Sequence, residues 1–232
     1  MKIAMWSGPR NLSTAMLYAF GNREEFVAWD EPFYAPYLKA TGISHPMRDE
    51  VLSAHETDAN LVADRIRQDV PDGKKHIYMK HMGFHMCDGF PLDWASDCVN
   101  VHLIRHPARV IASYSAKRMN PTLQDIGFQQ QTEIFDRFPG PVIDSYDIRE
   151  NPERMLKKLC ETIGLDWDSR MLSWPAGPKP FDGAWAPHWY KSVHDSNGFA
   201  GKEGDLPVLS GQSATLLEQA LPFYRRLEAK KL

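Results

Sequence analysis

Apolar residues along this chain form short continuous runs that alternate with longer segments of mixed polarity. Runs of strand length cover residues 3–6, 26–29, 76–80, 99–104 and 141–143. Segments with helix-forming composition or amphipathic spacing cover residues 11–20, 58–70, 107–116, 152–163 and 213–230. Strands that alternate with helices form βαβ units, so the pattern predicts an α/β fold with a mostly parallel central sheet flanked by helices.

Residues 174–190 break this alternation. Pro175, Pro178, Pro180 and Pro187 interrupt a run that is rich in aromatic residues, which suits neither a regular helix nor a central strand. We predict an ordered loop that packs over the sheet edge or over a cleft. The chain shows no internal repeat and no linker-like stretch, so residues 1–232 are predicted to form a single domain.

Composition narrows the class of protein. With 43% hydrophobic and 25% charged residues, the chain is typical of a globular protein and unlike disordered or fibrous chains. The 27 basic and 30 acidic residues nearly cancel, which argues against nucleic acid as a partner. No apolar run reaches the roughly 18 residues of a membrane span, and no secretory signal is visible. Three cysteines without metal-ligand spacing are typical of reduced thiols, so we expect a cytoplasmic location.

The loop after the first predicted strand has the features of an anion site. It opens a helix, so backbone N–H groups and the positive helix end meet at one point. The glycine lets a ligand approach the backbone, the hydroxyls add donors, and the arginine adds a permanent charge. The second glycine and the lysine of the ATP-binding loop are missing, which argues against ATP hydrolysis. The residues assigned to anion binding are Gly8, Pro9, Arg10, Asn11, Leu12, Ser13 and Thr14.

A second basic segment follows the fourth predicted strand. Arg105 stands at the carboxyl end of that strand, and Ser113 lies about two turns into the next helix. Ligands of doubly wound sheets bind at the carboxyl ends of strands, so Arg105 beside the first loop would suit a second phosphate group. The alternative is that Arg105 and Arg109 form ordinary surface ion pairs.

Together with a third segment, these two loops resemble the sulfotransferases that use 3′-phosphoadenosine 5′-phosphosulfate. Residues 7–14 resemble the 5′-phosphosulfate loop of that family, and the spacing of Arg105 and Ser113 matches its 3′-phosphate motif. Residues 146–165 resemble its "Y-E-D-L … P … L-C-x-x-L-G-L" segment. The resemblance covers roughly residues 1–170, with the three motifs in the family's order. Arg10 stands where many members have lysine, which favours the bacterial branch of the family.

The resemblance implies a three-layer, P-loop-like fold and sulfuryl transfer from that donor to a hydroxyl or amine of a small acceptor. In-line displacement on sulfur depends on positioning and on electrostatic stabilisation, and it demands no metal. Arg10, Ser13, Thr14 and Lys80 are the candidate groups for stabilising the developing charge. The part of the chain from about residue 174 is then expected to act as a lid or to shape the acceptor pocket, with Trp185 and Trp189 as candidate walls.

Two residues are candidates for the general base that accepts the acceptor's proton. Glu31 follows the second strand and resembles the glutamate base of some bacterial members, although it needs burial to raise its pKa. His81 follows the third strand, next to Lys80, and resembles the catalytic histidine of other members. Each has a structural alternative, Glu31 as a helix-capping acid and His81 as a packed histidine. The residues predict only that at least one of the two is the base.

Three other functions remain as alternatives at this stage. The pairs His81/His85 and His102/His106 have the spacing of metal ligands on one helical face, but each lacks an evident third ligand. A P-loop-like nucleotide kinase or hydrolase would need the missing lysine of the first loop. A nucleotide-binding protein without catalytic activity would bind the donor and never turn it over.

Overall fold

The computed structural model describes residues 1–116 and 120–232. In the described residues the chain forms one five-stranded sheet with the order β2-β3-β1-β4-β5, and every pairing is parallel. The predicted α/β fold with a parallel sheet flanked by helices is confirmed. The strands are β1 (Lys2–Ser7), β2 (Phe26–Asp30), β3 (His76–Met82), β4 (Val99–Ile104) and β5 (Val142–Asp144).

The helices flank this sheet, and the five that the pattern predicts begin and end within three residues of the predicted positions. The α-helices of the described residues are α1 (Ser13–Gly21), α2 (Tyr34–Thr41), α3 (Arg48–Ala54), α4 (Ala59–Arg67), α5 (Pro107–Ser115), α6 (Leu123–Ile126), α7 (Phe128–Arg137), α8 (Ser145–Glu150), α9 (Pro152–Thr162), α10 (Ala186–Trp189), α11 (Lys191–His194) and α12 (Gly211–Glu228). Short 3₁₀ helices cover Gly83–His85, Asp93–Asp97 and Ser169–Leu172. Within the described ranges, no helix has both the length and the apolar character that a membrane crossing requires.

Capping explains several of the helix starts. Asp58 accepts a hydrogen bond from the amide of Asn60 and starts α4, and Pro107 takes the first position of α5, where a missing N–H costs nothing. The pattern missed α2 because Pro36 lies in it. A proline in the first turn of a helix does not interrupt its hydrogen bonds.

Strand alternation separates the core into two layers. On one face of the sheet, Ile3, Met5 and Tyr78 pack against α1 and α9. On the other face, Trp6 and Met79 pack against α4, α7 and the 3₁₀ turn at residues 93–97. Successive side chains of a strand point to opposite faces, so neighbouring residues of β3 enter different layers.

The register of the strands places their carboxyl ends side by side. Ser7 of β1 is opposite Met82 of β3 and Leu103 of β4, and Asp30 of β2 is opposite Lys80. The chain leaves β1 toward β2 on one side of the sheet, while β4 lies on the other side. A crevice opens where the strand order reverses in this way, and this is where open α/β sheets bind ligands.

Candidate functional site

A cavity of about 610 Å³ lies at the carboxyl ends of the strands. Its walls come from distant parts of the chain: the loop after β1, the ends of β2, β3 and β4, helix α5, and residues 185–200. All of the anion-site residues that we predicted line it except Gly8. The lining includes Pro9, Arg10, Asn11, Leu12, Ser13, Thr14, Glu31, Arg105 and Ser113.

The loop after β1 has a backbone shaped to receive an anion. Arg10 and Leu12 both adopt the left-handed conformation, with φ of 62° and 70°. Helix α1 then starts at Ser13, and among the described residues no side chain caps this N-terminus. The first amides of a helix that lack such a cap are free to bind an anion. A positive φ in a residue other than glycine costs free energy, and such residues cluster at functional sites.

Close packing holds this loop in place. The side-chain amide of Asn11 donates to the carbonyl of Leu103 at 3.2 Å, which ties the loop to β4. Gly8 lies behind the cavity wall, where a Cβ atom would come within 2.9 Å of the carbonyl oxygen of Ile126. Gly8 is therefore needed for the close approach of α6 to the loop. From the sequence we predicted instead that Gly8 lets a ligand approach the backbone.

Three predicted residues from the two basic segments meet at one end of the cavity. Arg10 Nε donates to Ser113 Oγ at 2.9 Å, and Arg105 Nη1 donates to the carbonyl of Arg10 at 2.7 Å. Burial, and then the neighbouring Arg105, lower the pKa of Arg10. An anion stabilises two neighbouring guanidinium groups, so this end of the cavity favours a negatively charged ligand. We call it the donor end.

A buried carboxylate lies at the opposite end, which we call the acceptor end. Glu31 is 8% exposed, lines the cavity and sits at the end of β2 with a φ of 39°. Lys80 Nζ donates to Glu31 Oε1 at 2.6 Å and to Asp30 Oδ1 at 3.0 Å. The hydroxyl of Tyr190 donates to Asp30 Oδ2 at 2.7 Å and accepts from Lys80 at 2.5 Å. Each charged group of this cluster therefore has a partner, as burial requires.

Burial and charge pairing together set the pKa values of this cluster. Desolvation raises the pKa of Glu31, and the neighbouring Asp30 adds to the rise, while Lys80 opposes it. For Lys80, burial lowers the pKa, but the carboxylates of Asp30 and Glu31 outweigh that effect and raise it. A carboxylate whose pKa is raised toward neutrality is a better match for a general base than an ordinary surface glutamate.

Aromatic rings surround the Glu31 carboxylate. Tyr34 stacks on His85 at 4.8 Å and meets Trp185 edge-on at 5.0 Å. His85 Nδ1 lies 3.8 Å from Glu31 Oε2, and burial holds the pKa of His85 well below its ordinary value, so its ring is neutral near pH 7. Trp185 and Trp189, which we predicted as candidate walls, both line the cavity.

His81 does not reach this cavity. Its ring stacks on Trp6 at 4.7 Å and lies tilted against Trp94 at 5.0 Å, in the core layer on the opposite face of the sheet from Lys80. Burial lowers its pKa to about 3, and its Nε2 atom has no hydrogen-bond partner among the described residues. Our prediction of His81 as an alternative base therefore finds no support in the geometry, and of the two candidates Glu31 reaches the site.

The other histidine pair is accounted for by local structure. His102 is hydrogen-bonded to the carbonyl of Phe138 at 3.0 Å, and His106 accepts from the amide of Ala108 at the start of α5. In the parts of the chain that the structure describes, no three histidine, cysteine or acidic side chains are grouped as metal ligands.

Sequence reasoning missed several residues of the site. Asp30 and Tyr190 complete the cluster around Lys80, and Arg149 lines the donor end. Asp30 stands beside Glu31 at a strand end, a position that could have marked it. Tyr190 lies in an aperiodic segment, so no local pattern points to its partners.

Comparison with known proteins identifies the family. The sequence model of a sulfotransferase domain family matches residues 1–231, and the chain belongs to this family. Two solved structures share the fold. The sulfotransferase domain from the curacin biosynthetic pathway has a TM-score of 0.55 at 13% identity, covering 94% of this chain and 96% of that one. A sulfotransferase from Alicyclobacillus acidocaldarius has a TM-score of 0.55 at 10% identity, covering 98% and 94%.

Closer sequence relatives carry a different name. The branched-chain-amino-acid aminotransferase-like proteins 1 and 2 of Arabidopsis thaliana are 37% and 34% identical, over 98% and 97% of this chain. The chain spans about two fifths of the length of these two curated relatives, since each alignment covers 41% of the relative. Their similarity to this chain is therefore confined to one part of a longer protein.

Proposed function

We propose that this protein transfers a sulfuryl group from 3′-phosphoadenosine 5′-phosphosulfate to a hydroxyl or amine of a small acceptor. The observation that carries the proposal is the joining of Arg10, Ser113 and Arg105 in one cavity whose far end holds Glu31. Arginines of two loops beside a helix N-terminus favour a ligand with two anionic groups. The buried Glu31 carboxylate across the cavity can take the proton that a hydroxyl or amine acceptor loses.

The donor's two ends have different partners in this proposal. The backbone amides of residues 10–14 and the side chain of Arg10 hold the 5′-phosphosulfate, while Arg105 and Ser113 hold the 3′-phosphate. Since Arg10 is hydrogen-bonded to Ser113 and Arg105 is hydrogen-bonded to the Arg10 carbonyl, the two subsites share one hydrogen-bonded framework. Such preorganised donors stabilise charge without reorganising during the reaction.

The reaction then follows as an in-line displacement. The acceptor oxygen or nitrogen attacks sulfur and forms the new bond while the bond from sulfur to the 5′-phosphate oxygen breaks, and Glu31 takes the acceptor's proton. Arg10 stabilises the charge that develops on the leaving phosphate. Lys80 keeps Glu31 oriented, and its second partner, Asp30, balances the lysine after Glu31 is protonated. No step calls for a metal.

Nucleotide binding tests the donor assignment. A ligand that binds the native state raises its melting temperature by mass action, so adenosine 3′,5′-bisphosphate should stabilise the protein far more than AMP or ATP with magnesium. Equal shifts for all three would remove the case for a 3′-phosphate subsite. A preference for ATP with magnesium would instead favour a kinase or hydrolase.

Turnover tests the reaction itself. With labelled donor and a panel of small phenols, alcohols and amines, we expect release of adenosine 3′,5′-bisphosphate together with label on an acceptor. Tight donor binding without transfer to any member of a broad panel would show a nucleotide-binding protein without this activity.

A further inference from the structure

Three arginines converge on a single carboxylate beside the donor end, whose wall includes Arg105 and Arg149. Arg105 follows β4, Arg109 lies on α5 and Arg149 lies on α8. Arg105 pairs with Oε1 of Glu203, and Arg149 Nη1 lies 2.6 Å from the same oxygen. Arg109 Nε lies 2.9 Å from Oε2. Glu203 thus occupies the common focus of three guanidinium groups.

The charges of this cluster do not balance. The Glu203 side chain is 2% exposed, and those of the arginines are 11–20% exposed, so solvent screens the group weakly. Within the described residues of this cluster, one carboxylate against three guanidinium groups leaves a net charge of two positive units. A phosphate monoester carries a charge of about −1.5 to −2 near neutral pH and offers three acceptor oxygens. Phosphate also forms bidentate pairs with arginine. A single carboxylate has only two oxygens and cannot form such pairs with three arginines at once.

We propose that Arg105, Arg109 and Arg149 form one phosphate-monoester site, and that Glu203 fills it only until the phosphate arrives. The donor's 3′-phosphate is the monoester at this end of the cavity, so the proposal rests on the proposed function. It adds Arg109 and Arg149 to the 3′-phosphate ligands. Glu203 becomes an internal competitor of the donor. Residues 200–205, which carry it, are named the strap.

The strap is attached in a way that suits release. Residues 199–210 form neither helix nor strand. Arg149 Nε donates to the carbonyl of Gly201 at 2.7 Å, Arg109 donates to the carbonyl of Gly204, and Lys202 pairs with Glu150 at 2.9 Å. Polar contacts, mainly from two of the same arginines, therefore hold it. A phosphate that binds those arginines therefore replaces both their hydrogen bonds to the strap and their ion pairs with Glu203.

The residues around the strap mark where it is fixed and where it is not. Phe199, just before it, packs edge-on against Trp174 at 5.3 Å and so fixes the near end. Beyond it, Leu206 is 48% exposed and Val208 is 98% exposed, and apolar packing against the core resumes only at Leu209. Segments with few buried apolar contacts are those that open at low cost in free energy.

Glu203→Gln tests the proposal, because glutamine keeps the side-chain shape and loses the charge that competes with phosphate. Glu150→Gln is the matched control, since it removes a carboxylate that also binds the strap but lies outside the arginine cluster. Calorimetric titration with adenosine 3′,5′-bisphosphate, AMP and inorganic phosphate compares both variants with wild type. We expect Glu203→Gln to bind the bisphosphate and inorganic phosphate about tenfold more tightly, within the usual range of coupling between competing ligands, and AMP unchanged. Glu150→Gln should match wild type for the bisphosphate and inorganic phosphate.

The outcomes separate this proposal from the donor assignment. If Glu203→Gln binds both phosphate ligands no more tightly than wild type, Glu203 holds the arginines in place and the proposal is wrong. If it binds inorganic phosphate more tightly while neither protein binds the bisphosphate, the site and its competitor stand and the donor is wrong.

Trypsin cleavage after Lys202 gives a second readout on the wild-type chain, which remains available if Glu203→Gln fails to fold. We expect inorganic phosphate to speed this cut, with the bisphosphate doing so at lower concentration. Cleavage that neither ligand changes would overturn the proposal.

Discussion

The two ends of the cavity use opposite means to hold charge. The donor end presents backbone amides and permanently charged arginines, whose charge does not depend on pH in the physiological range. The acceptor end buries the Glu31 carboxylate among aromatic rings, with Lys80 as its partner. Permanent charge suits binding of an anion, while a carboxylate with a raised pKa suits transfer of a proton. Variants at the two ends should therefore fail in different kinetic parameters.

The largest expected effect is at the acceptor end. Glu31→Gln removes the base and keeps the shape, so kcat should fall by about 10²–10⁴-fold, the range for a lost general base. The Kd for adenosine 3′,5′-bisphosphate should change less than twofold, because Glu31 contacts none of the donor-end residues. Glu50→Gln, at an exposed position of α3, is the control. Steady-state kinetics and calorimetry measure both quantities. A loss of affinity equal to the loss of rate would contradict the separate roles of the two ends.

Arg10→Ala should show the next largest effect and should separate chemistry from binding at the donor end. Removing one preorganised donor costs on the order of 10²-fold in kcat. Nucleotide affinity should fall less, since the loop amides and Arg105 remain. Arg10→Lys should recover part of the rate because it restores the charge. Arg154→Ala, on the exposed face of α9, is the control, and unchanged turnover in Arg10→Ala would contradict the role given to this residue.

Arg105 and Ser113 should affect binding more than rate. Arg105→Ala should weaken binding of adenosine 3′,5′-bisphosphate by about 1.5–3 kcal/mol, the value of a charge-assisted hydrogen bond. Ser113→Ala should cost roughly 0.5–1.5 kcal/mol. AMP, which lacks the 3′-phosphate, should bind both variants as it binds wild type. Calorimetry that finds Arg105→Ala equal to wild type would place the 3′-phosphate elsewhere.

The sequence predicted the donor end more completely than the acceptor end. The order of strands and helices could be predicted from the apolar runs. Arg105 and Ser113, which were predicted from their spacing, line the same cavity as the predicted loop. Local pattern carries this information because each motif lies at the junction of a strand and a helix. The choice between Glu31 and His81 stayed open, although strand alternation could have narrowed it. Residues 80 and 81 face opposite layers, so only one of them can point into the cavity.

The remaining contacts depend on chain folding over long distances. Tyr190 meets Asp30 across 160 residues of sequence, and Glu203 meets Arg105 across 98. Both come from the part of the chain between α9 and α12, where no periodicity constrains the backbone. Pairings of this kind are fixed by tertiary packing, and a single sequence does not display them.

The smallest expected effect on activity is at His81, which lies behind the sheet from the cavity. His81→Phe should leave kcat within about twofold and should change the response of stability to acid. The folded protein keeps His81 neutral down to a pKa of about 3, while the unfolded chain accepts the proton near pH 6.5. The unfolded state thus binds more protons between these values, so stability falls as the pH falls through that window.

Phenylalanine removes this contribution. Between pH 6.5 and 5 the wild type should lose up to about 2 kcal/mol more stability than His81→Phe. Denaturant unfolding at the two pH values measures the difference. His188→Gln, at an exposed position, should behave as wild type. Equal acid sensitivity of His81→Phe and wild type would contradict the buried neutral state of this ring.

The most direct test of the central claim is the pH profile of single-turnover sulfuryl transfer with saturating donor. Burial raises the pKa of Glu31, so the wild-type rate should fall on the acid side, tenfold per pH unit, through a pKa above that of an ordinary glutamate. The arginines of the donor end stay charged over this range and the donor is saturating, so the acid limb does not report a loss of donor binding. In Glu31→Gln the acid limb should vanish, leaving a slow rate that does not depend on pH. An acid limb that survives in Glu31→Gln would contradict the account, because another group would then accept the proton.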